Sequence, residues 1–376
     1  MHQIAARKGI VKDLDRGFYE EARRQEKHPL ALLTELVAPE PPEIEAIERR
    51  LAAKFPTLAP GSPLAQNVAD WAYMVAGLEK ELAARGISRS DTVEKAFFSS
   101  ANGPNQPLFP VFLAGQIIAG QMAGSLVPHL VASELRINSH VQEKVTVSDT
   151  PSTRQLKAVG EGQDLPKTTI SRTNGSIALT KYGRMLEASY ESVRLLHLDI
   201  LALQLNRMGR QIGIDQSDDL IETLISGDGT AGSAISFLTA TAAGVLNYDE
   251  LVRLFLAFPI GYQMRHAVIN DTLLRTLLNL AEFKDPMAGF RFTRDGALPG
   301  PLGAEWHRWT STGSAAFGTD RILAVDDRQA IVLYREGDLL EEADQLIDKQ
   351  IARRAMSEWV GFAKWDNAAS AALKLN

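Results

Sequence analysis

Residues 168–227 read TTISRTNGSIALTKYGRMLEASYESVRLLHLDILALQLNRMGRQIGIDQSDDLIETLISG, and two periodicities meet inside them. In the first part Ile177 and Leu179 alternate with Ser176, Ala178 and Thr180, as in a strand with one better-buried face. Asn174–Gly175 sits between two runs rich in β-branched residues. That pair tolerates the positive φ of a two-residue turn, so the spacing predicts a hairpin turning at 174–175. Beyond Leu195 the period lengthens. Leu198, Leu201, Leu205, Met208 and Ile212 form a stripe at three- and four-residue steps. About 28 residues of such a helix would make a rod of about 42 Å, ending at Gly227. A ribbon running into a long organising helix makes this an α+β chain.

Working toward the N-terminus, residues 101–107 (ANGPNQP) punctuate the chain and mark the best domain boundary, and residues 56–63 (PTLAPGSP) read as a linker. Before them lie charged amphipathic segments, one from Pro41 to Phe55 and one from Pro63 to Gly86. The second carries Leu64, Val68, Trp71, Val75, Leu78 and Leu82 on one face. That stripe must be buried against something, and permanent packing with Trp71 and Val75 inside is expected. From Ala96 to Ser133 there is no Asp, Glu, Lys or Arg. A membrane span is long enough there. Gln116, Gln121, the glycines and prolines and the lack of basic flanks favour a helix buried against protein instead. The charged first thirty residues leave no apolar core for a secretory signal.

Toward the C-terminus, residues 247–258 predict a helix capped by Asn247, HAVIN (266–270) a short buried strand, and residues 270–283 a helix capped by Asn270 or Asp271. DRILAVDD (320–327) and RQAIVLYREG (328–337) read as paired strands, and residues 351–366 as a final extended segment.

Composition narrows the functions. The 376 residues carry 40 Lys+Arg against 46 Asp+Glu, a net charge of −6, which excludes a strongly basic nucleic-acid binder. With no cysteine, thiol nucleophiles, disulfides, Cys-zinc sites and iron–sulfur clusters are all absent. Gly227–Gly232 (GDGTAG) matches a dinucleotide fingerprint, but that motif follows a buried strand. Here Asp215, Asp218, Asp219 and Glu222 precede it on a helical period, so a helix stop is expected. The histidines at 2, 28, 129, 140, 197, 266 and 307 show no metal-ligand spacing, and no serine lies in a nucleophile elbow. Asp218–Asp219 and Glu341–Glu342 read as solvated faces, and Trp306 and Trp309 as plugs on a core or interface. No catalytic residue, metal ligand or cofactor is assigned.

LFPVFLAGQIIAG (108–120), KAVGEGQDLPKTTI (157–170), IALTKYGRMLEASYESVR (177–194), the long helix running into SGDG (226–229), RQAIVLYREG (328–337) and WVGFAKWDNAAS (359–370) stand in a fixed order. In that order the chain resembles the major capsid proteins of tailed double-stranded DNA bacteriophages, with their HK-ninety-seven-type shell fold. The resemblance implies a helical, scaffolding-like N-terminal region at 1–104 and an N-terminal arm lying across a neighbour at 105–140. It implies an extended β-hairpin loop at 141–182, a peripheral domain with a spine helix at 183–228 and an axial domain at 229–325. Residues 326–376 would return to the peripheral domain. Lys167, Asn174, Gly175, Phe112 and Ile117 become candidates for contacts between subunits, and Lys167 and Asn367 are superficially placed for a cross-link. The implied function is a non-enzymatic shell of pentamers and hexamers around double-stranded DNA, without cofactor or membrane. A portal and decoration protein would be further partners, the location a virion assembled in the host bacterial cytoplasm. An encapsulin-type compartment is the alternative on the same fold, and a nucleotide-dependent enzyme using Gly227–Gly232 the alternative of another class.

Overall fold

A computed structural model describes residues 63–98, 105–106, 108–139, 141–148, 169–229, 233–284, 300–310, 317–346 and 350–375, together with Ala22, Arg24, Leu32, Leu33 and Arg49. The expected helix at 41–55, except Arg49, falls outside the described residues. In chain order the helices are α1 (Pro63–Ala84), α2 (Leu108–Gly124), α3 (Val127–Leu130), α4 (Tyr190–Leu195), α5 (Leu198–Ser226), α6 (Tyr248–Leu256), α7 (Asp271–Leu278) and α8 (Ala281–Lys284). The strands are β1 (Ser133–Ile137), β2 (Val141–Ser148), β3 (Thr169–Ala178), β4 (Thr180–Ser189), β5 (Phe237–Thr239), β6 (His266–Ile269), β7 (Glu305–Arg308), β8 (Arg321–Val325), β9 (Ile331–Leu346), β10 (Ile351–Lys364) and β11 (Ser370–Lys374).

The rod forms as its period requires. Helix α5 has 29 residues and stops where Gly227 takes a positive φ of 88°, a conformation glycine adopts without steric cost. Leu198, Leu201, Leu205 and Ile212 are buried along it, with Met208 only half-buried. Against it lies α2, the uncharged segment weighed as a membrane span. No described helix is long and apolar enough to cross a membrane. The two helices approach through glycines. A Cβ at Gly213 would lie 2.6 Å from the Gln121 carbonyl oxygen and one at Gly124 2.5 Å from Arg210 Cγ, while one at Gly120 or Gly209 would overlap the opposite backbone. The polar residues of α2 find partners across this seam. Asn206 Nδ2 donates to Gln116 Oε1 at 2.9 Å, and Gln121 Nε2 donates to Gln216 Oε1 at 3.0 Å and Glu358 Oε1 at 2.6 Å.

The strands form three sheets. One has the order β1-β9-β10-β4, another β5-β11-β8-β6-β7, and β2-β3 stand as a two-stranded ribbon. The five-stranded sheet is buried on both faces. Val268, Leu323 and Val325 pack toward α5 and α3, and Ala267, Ile269, Ile322 and Ala324 pack toward α6 and α7. Asn247 and Asn270 cap α6 and α7 as expected, accepting from Glu250 N and Leu273 N.

Two strand expectations are corrected. Asn174–Gly175 is not a hairpin turn but lies within β3, where the register with β2 slips between Glu143 and Val145. Three residues of β3 there oppose one of β2, a bulge that consumes the conformational freedom of the pair. The connection between β2 and β3, residues 149–168, lies outside the described residues. Nor do β8 and β9 pair with each other. The turn at 326–330 carries the chain from the five-stranded sheet to the four-stranded one, because β8 is taken by β6 and β11 and β9 by β1 and β10.

Candidate functional site

The apolar residues that the fold leaves in solvent form the surface from which any assembly must be built. Leu195, Ile200 and Leu203 are exposed along the outer side of α4 and α5, and Leu135, Val141, Met185 and Leu340 on the strands. A further group lies around α6. Leu251 and Leu254 go to the core, while Val245, Tyr248, Phe255 and Leu256 face solvent and Ile260, in the following turn, is fully exposed. Exposed apolar groups concentrated in this way mark interaction surfaces.

That segment is held rigidly. Glu250 is wholly inaccessible and accepts from Thr241 N and Arg253 Nη1, each at 2.6 Å, while Arg253 Nη1 also donates to Thr241 Oγ1 at 2.9 Å. Burial by itself raises the Glu250 pKa, but the hydrogen bonds from Thr241 and the Arg253 charge outweigh it and hold the group below its ordinary value. On the adjoining strand Arg308 grips Asp271 through two bonds of 2.6 and 2.7 Å, which lower the Asp271 pKa.

The acidic pairs and the tryptophans divide differently from expectation. Asp218 is not solvated. It is buried and accepts from Trp309 Nε1 at 2.8 Å, and Asp219 accepts from the Tyr182 hydroxyl. Burial, and then Glu222, raise the Asp219 pKa. Glu342 is exposed as expected. Trp306 is buried with its Nε1 donating to Pro301 O at 3.3 Å. Between the cores Glu358, buried on β10, collects Gln121 and Gln216, with Arg335 Nη1 4.0 Å away. Lys364, also buried, donates to Leu224 O at 3.1 Å near the end of α5.

Of the residues expected at subunit contacts, Phe112 and Ile117 are buried within this chain, in the core they share with Leu201 and Leu205. The uncharged sequence around them required burial, and the close-packed glycine seam supplied it internally. Asn174 and Gly175 sit in β3, Asn367 is exposed, and Lys167 lies outside the described residues.

The spacing of the histidines gives no sign of a metal site, and only the fold can assemble them; it brings three of them together. His129, His266 and His307 converge with Glu305, one nitrogen or oxygen of each lying within 4.8 Å of the others. Burial, then His129 and His266, lower the His307 pKa to about 3. The signal available in the sequence was Glu305-x-His307, two donors on one face of a strand. The other two come from distant elements. Gly227–Gly232 follows a helix and not a strand, which removes the context a dinucleotide site needs.

A family model described as phage capsid protein matches residues 173–365, just over half of the chain. The chain belongs to the phage capsid protein family. It is a structural protein of a virion shell, and the match favours that reading over an encapsulin. Similar solved structures include the capsid of an empty GTA particle computed with C5 symmetry, at 20% identity and TM-score 0.47, covering 67% of this chain and 89% of that one. Mycobacterium phage Adephagia gives 11% identity and TM-score 0.45 over 67% and 90% of the two chains. A virus-like particle from Pyrococcus furiosus gives 12% and 0.45 over 70% and 97%. The family model, and not these distant likenesses, carries the assignment. No curated protein matches the chain.

Proposed function

We propose that this capsid chain assembles with copies of itself, as pentamers and hexamers, into an icosahedral shell that encloses double-stranded DNA and carries out no catalysis. The observation that supports it most is the β2–β3 ribbon. Its two strands pair with each other, outside both larger sheets, and at the end of β3 Ile177 and the adjoining Leu179 are buried with Val332 and Tyr334 of β9 and Ala363 of β10. A ribbon paired outside the two larger sheets suits an element that overlaps an adjacent copy, where Lys167, Asn174 and Gly175 would be contacts. Overlapping arms multiply modest interfaces, so a closed shell is far more stable than any isolated pair. The segment 229–325, with its exposed α6 surface, would meet its copies at the vertices, and the net charge of −6 keeps packaged DNA from adhering to the wall. A portal and a decoration protein would complete the particle, which would assemble in the bacterial cytoplasm.

The test is negative-stain microscopy of the purified full chain beside a variant whose connection 149–168 is replaced by a four-residue turn. Closed shells are expected from the full chain, and a folded subunit that fails to close from the variant. A variant that closes normally would remove residues 149–168 from assembly, and one that unfolds would make them necessary to the fold of the subunit.

A further inference from the structure

We propose that His129, His266, Glu305 and His307 form a structural site for a divalent transition-metal ion of the zinc class, joining helix α3 to strands β6 and β7.

The backbone prepares the site. Strands β6 and β7 run parallel with His266 opposite Glu305 and Val268 opposite His307. Side chains alternate faces along a strand, so Glu305 and His307 share a face while Trp306 between them enters the core on the other side. His266 lies on the same face as Val268, whose side chain packs toward α3 and α5. Val127 and Leu130 anchor α3 in that same core and present His129 to the three strand residues.

The distances fit a contracting cage. His266 Nδ1 lies 3.0 Å from His307 Nε2 and 3.9 Å from Glu305 Oε2. Glu305 Oε1 lies 3.8 Å from His129 Nδ1 and 4.0 Å from His307 Nε2. Tetrahedral zinc with ligands at about 2.0–2.1 Å needs donors about 3.3 Å apart, so the carboxylate must close in by roughly half an ångström. Glu305 can do so because it is the most accessible of the four, at 29% exposure, and it leaves the ion a path of entry. Three imidazoles and one carboxylate are a donor set for zinc, nickel or copper and not for magnesium or calcium, which take oxygen. Four protein ligands leave no open position, the mark of a structural and not a catalytic ion.

A second, independent feature points the same way. The distal nitrogen of His266, Nε2, is wholly buried and faces Asp327 Oδ2 at 3.7 Å, and Arg265 Nη1 holds the other oxygen of that carboxylate at 3.1 Å. A carboxylate behind a ligating imidazole keeps the proton on the far nitrogen and turns the near lone pair to the ion. Here Asp327 Oδ2 stands 3.7 Å behind the buried Nε2, beyond hydrogen-bond distance, and a bound ion would replace the 3.0 Å contact between His266 Nδ1 and His307 Nε2.

The experiment uses the full chain without an affinity tag, stripped with EDTA and dialysed against buffered zinc. One zinc per chain is expected by elemental analysis, and cobalt in its place is expected to give the intense ligand-field absorption of a tetrahedral site. The double variant Glu305→Gln/His307→Ala should lose that stoichiometric ion, and Asp327→Asn should keep it with affinity lowered about 10–100-fold. Absence of bound zinc and of the cobalt spectrum in the unaltered chain would overturn the proposal, whether or not the variants fold. Equal zinc content in the folded double variant would overturn it as well, by placing the ion elsewhere.

Discussion

Gly209 and Gly213 on α5 face Gly120 and Gly124 on α2, and at these four positions a methyl group has no place to go. None of them has a positive φ, so the requirement is close approach and not backbone conformation. Gly209→Ala must therefore push the helices apart, opening the seam that Gln116 and Gln121 bridge. Overpacking of this kind costs about 1–3 kcal/mol and sometimes more. A lowered urea midpoint of the unassembled subunit is the expected outcome, and a midpoint unchanged from the parent would show that the seam yields. Glu250 offers a pH-dependent counterpart. Its pKa is lowered in the folded chain, so its contribution is present above the unfolded value of about 4.3 and is lost as pH falls through the folded value. Glu250→Gln should melt at a lower temperature than the parent at pH 7, and the gap should close on acidification below about pH 4. A gap independent of pH would show that the charge is not what holds residues 241–250. The residue scale is also where the sequence hid most. His129, His266 and His307 come from three elements brought together only by the parallel pairing of β6 with β7 and the docking of α3. No spacing rule reaches across 178 positions.

The elements were more legible. Helix α5 announced itself because a 3.6-residue period sustained over eight turns is hard to imitate by chance, and because glycine marks its end. The caps at Asn247 and Asn270 were legible for a similar reason, since capping is local chemistry. Strand pairing is not local. DRILAV and RQAIVLY are adjacent in sequence and each is a good strand, yet their partners lie at residues 266–269 and 370–374 for one and 133–137 and 351–364 for the other. The Asn174–Gly175 signal failed in the same way. A turn-forming dipeptide was absorbed as a bulge because the pairing of 141–148 with 169–178 fixed the register from outside. Of the N-terminal stripe, Leu78 is buried, Leu82 is half-buried, and Leu64 and Val68 carry side chains outside the described residues. Leu78, Ile87, Val93 and Phe97 share a core with α2 and α5, Arg85 Nη1 donates to Asn105 Oδ1 at 2.8 Å, and Val75 is half-buried, while the Trp71 side chain is outside the described residues. Truncation to begin at residue 105 would expose one side of that core. The shortened chain is expected to be insoluble or to melt well below the parent. Shells of normal heat resistance from it would contradict the packing role.

At the scale of the molecule, the chain holds two cores on a single rod, one at each end of α5, and a five-stranded sheet buried on both faces. The rod makes the subunit stiff, so contacts made at its two ends are made at a fixed separation, which is what a shell of constant curvature demands. Large apolar side chains remain in solvent at Leu203, Leu256 and Ile260, each of which is worth about 1.5–3 kcal/mol when covered. In an assembled shell, other copies would cover them. Sedimentation velocity of the purified full chain, run beside Leu256→Glu/Ile260→Glu, tests this most directly. The account predicts a single fast boundary of megadalton particles for the parent and slow, folded subunits for the variant. A parent that stays monomeric or dimeric across salt and concentration would contradict it.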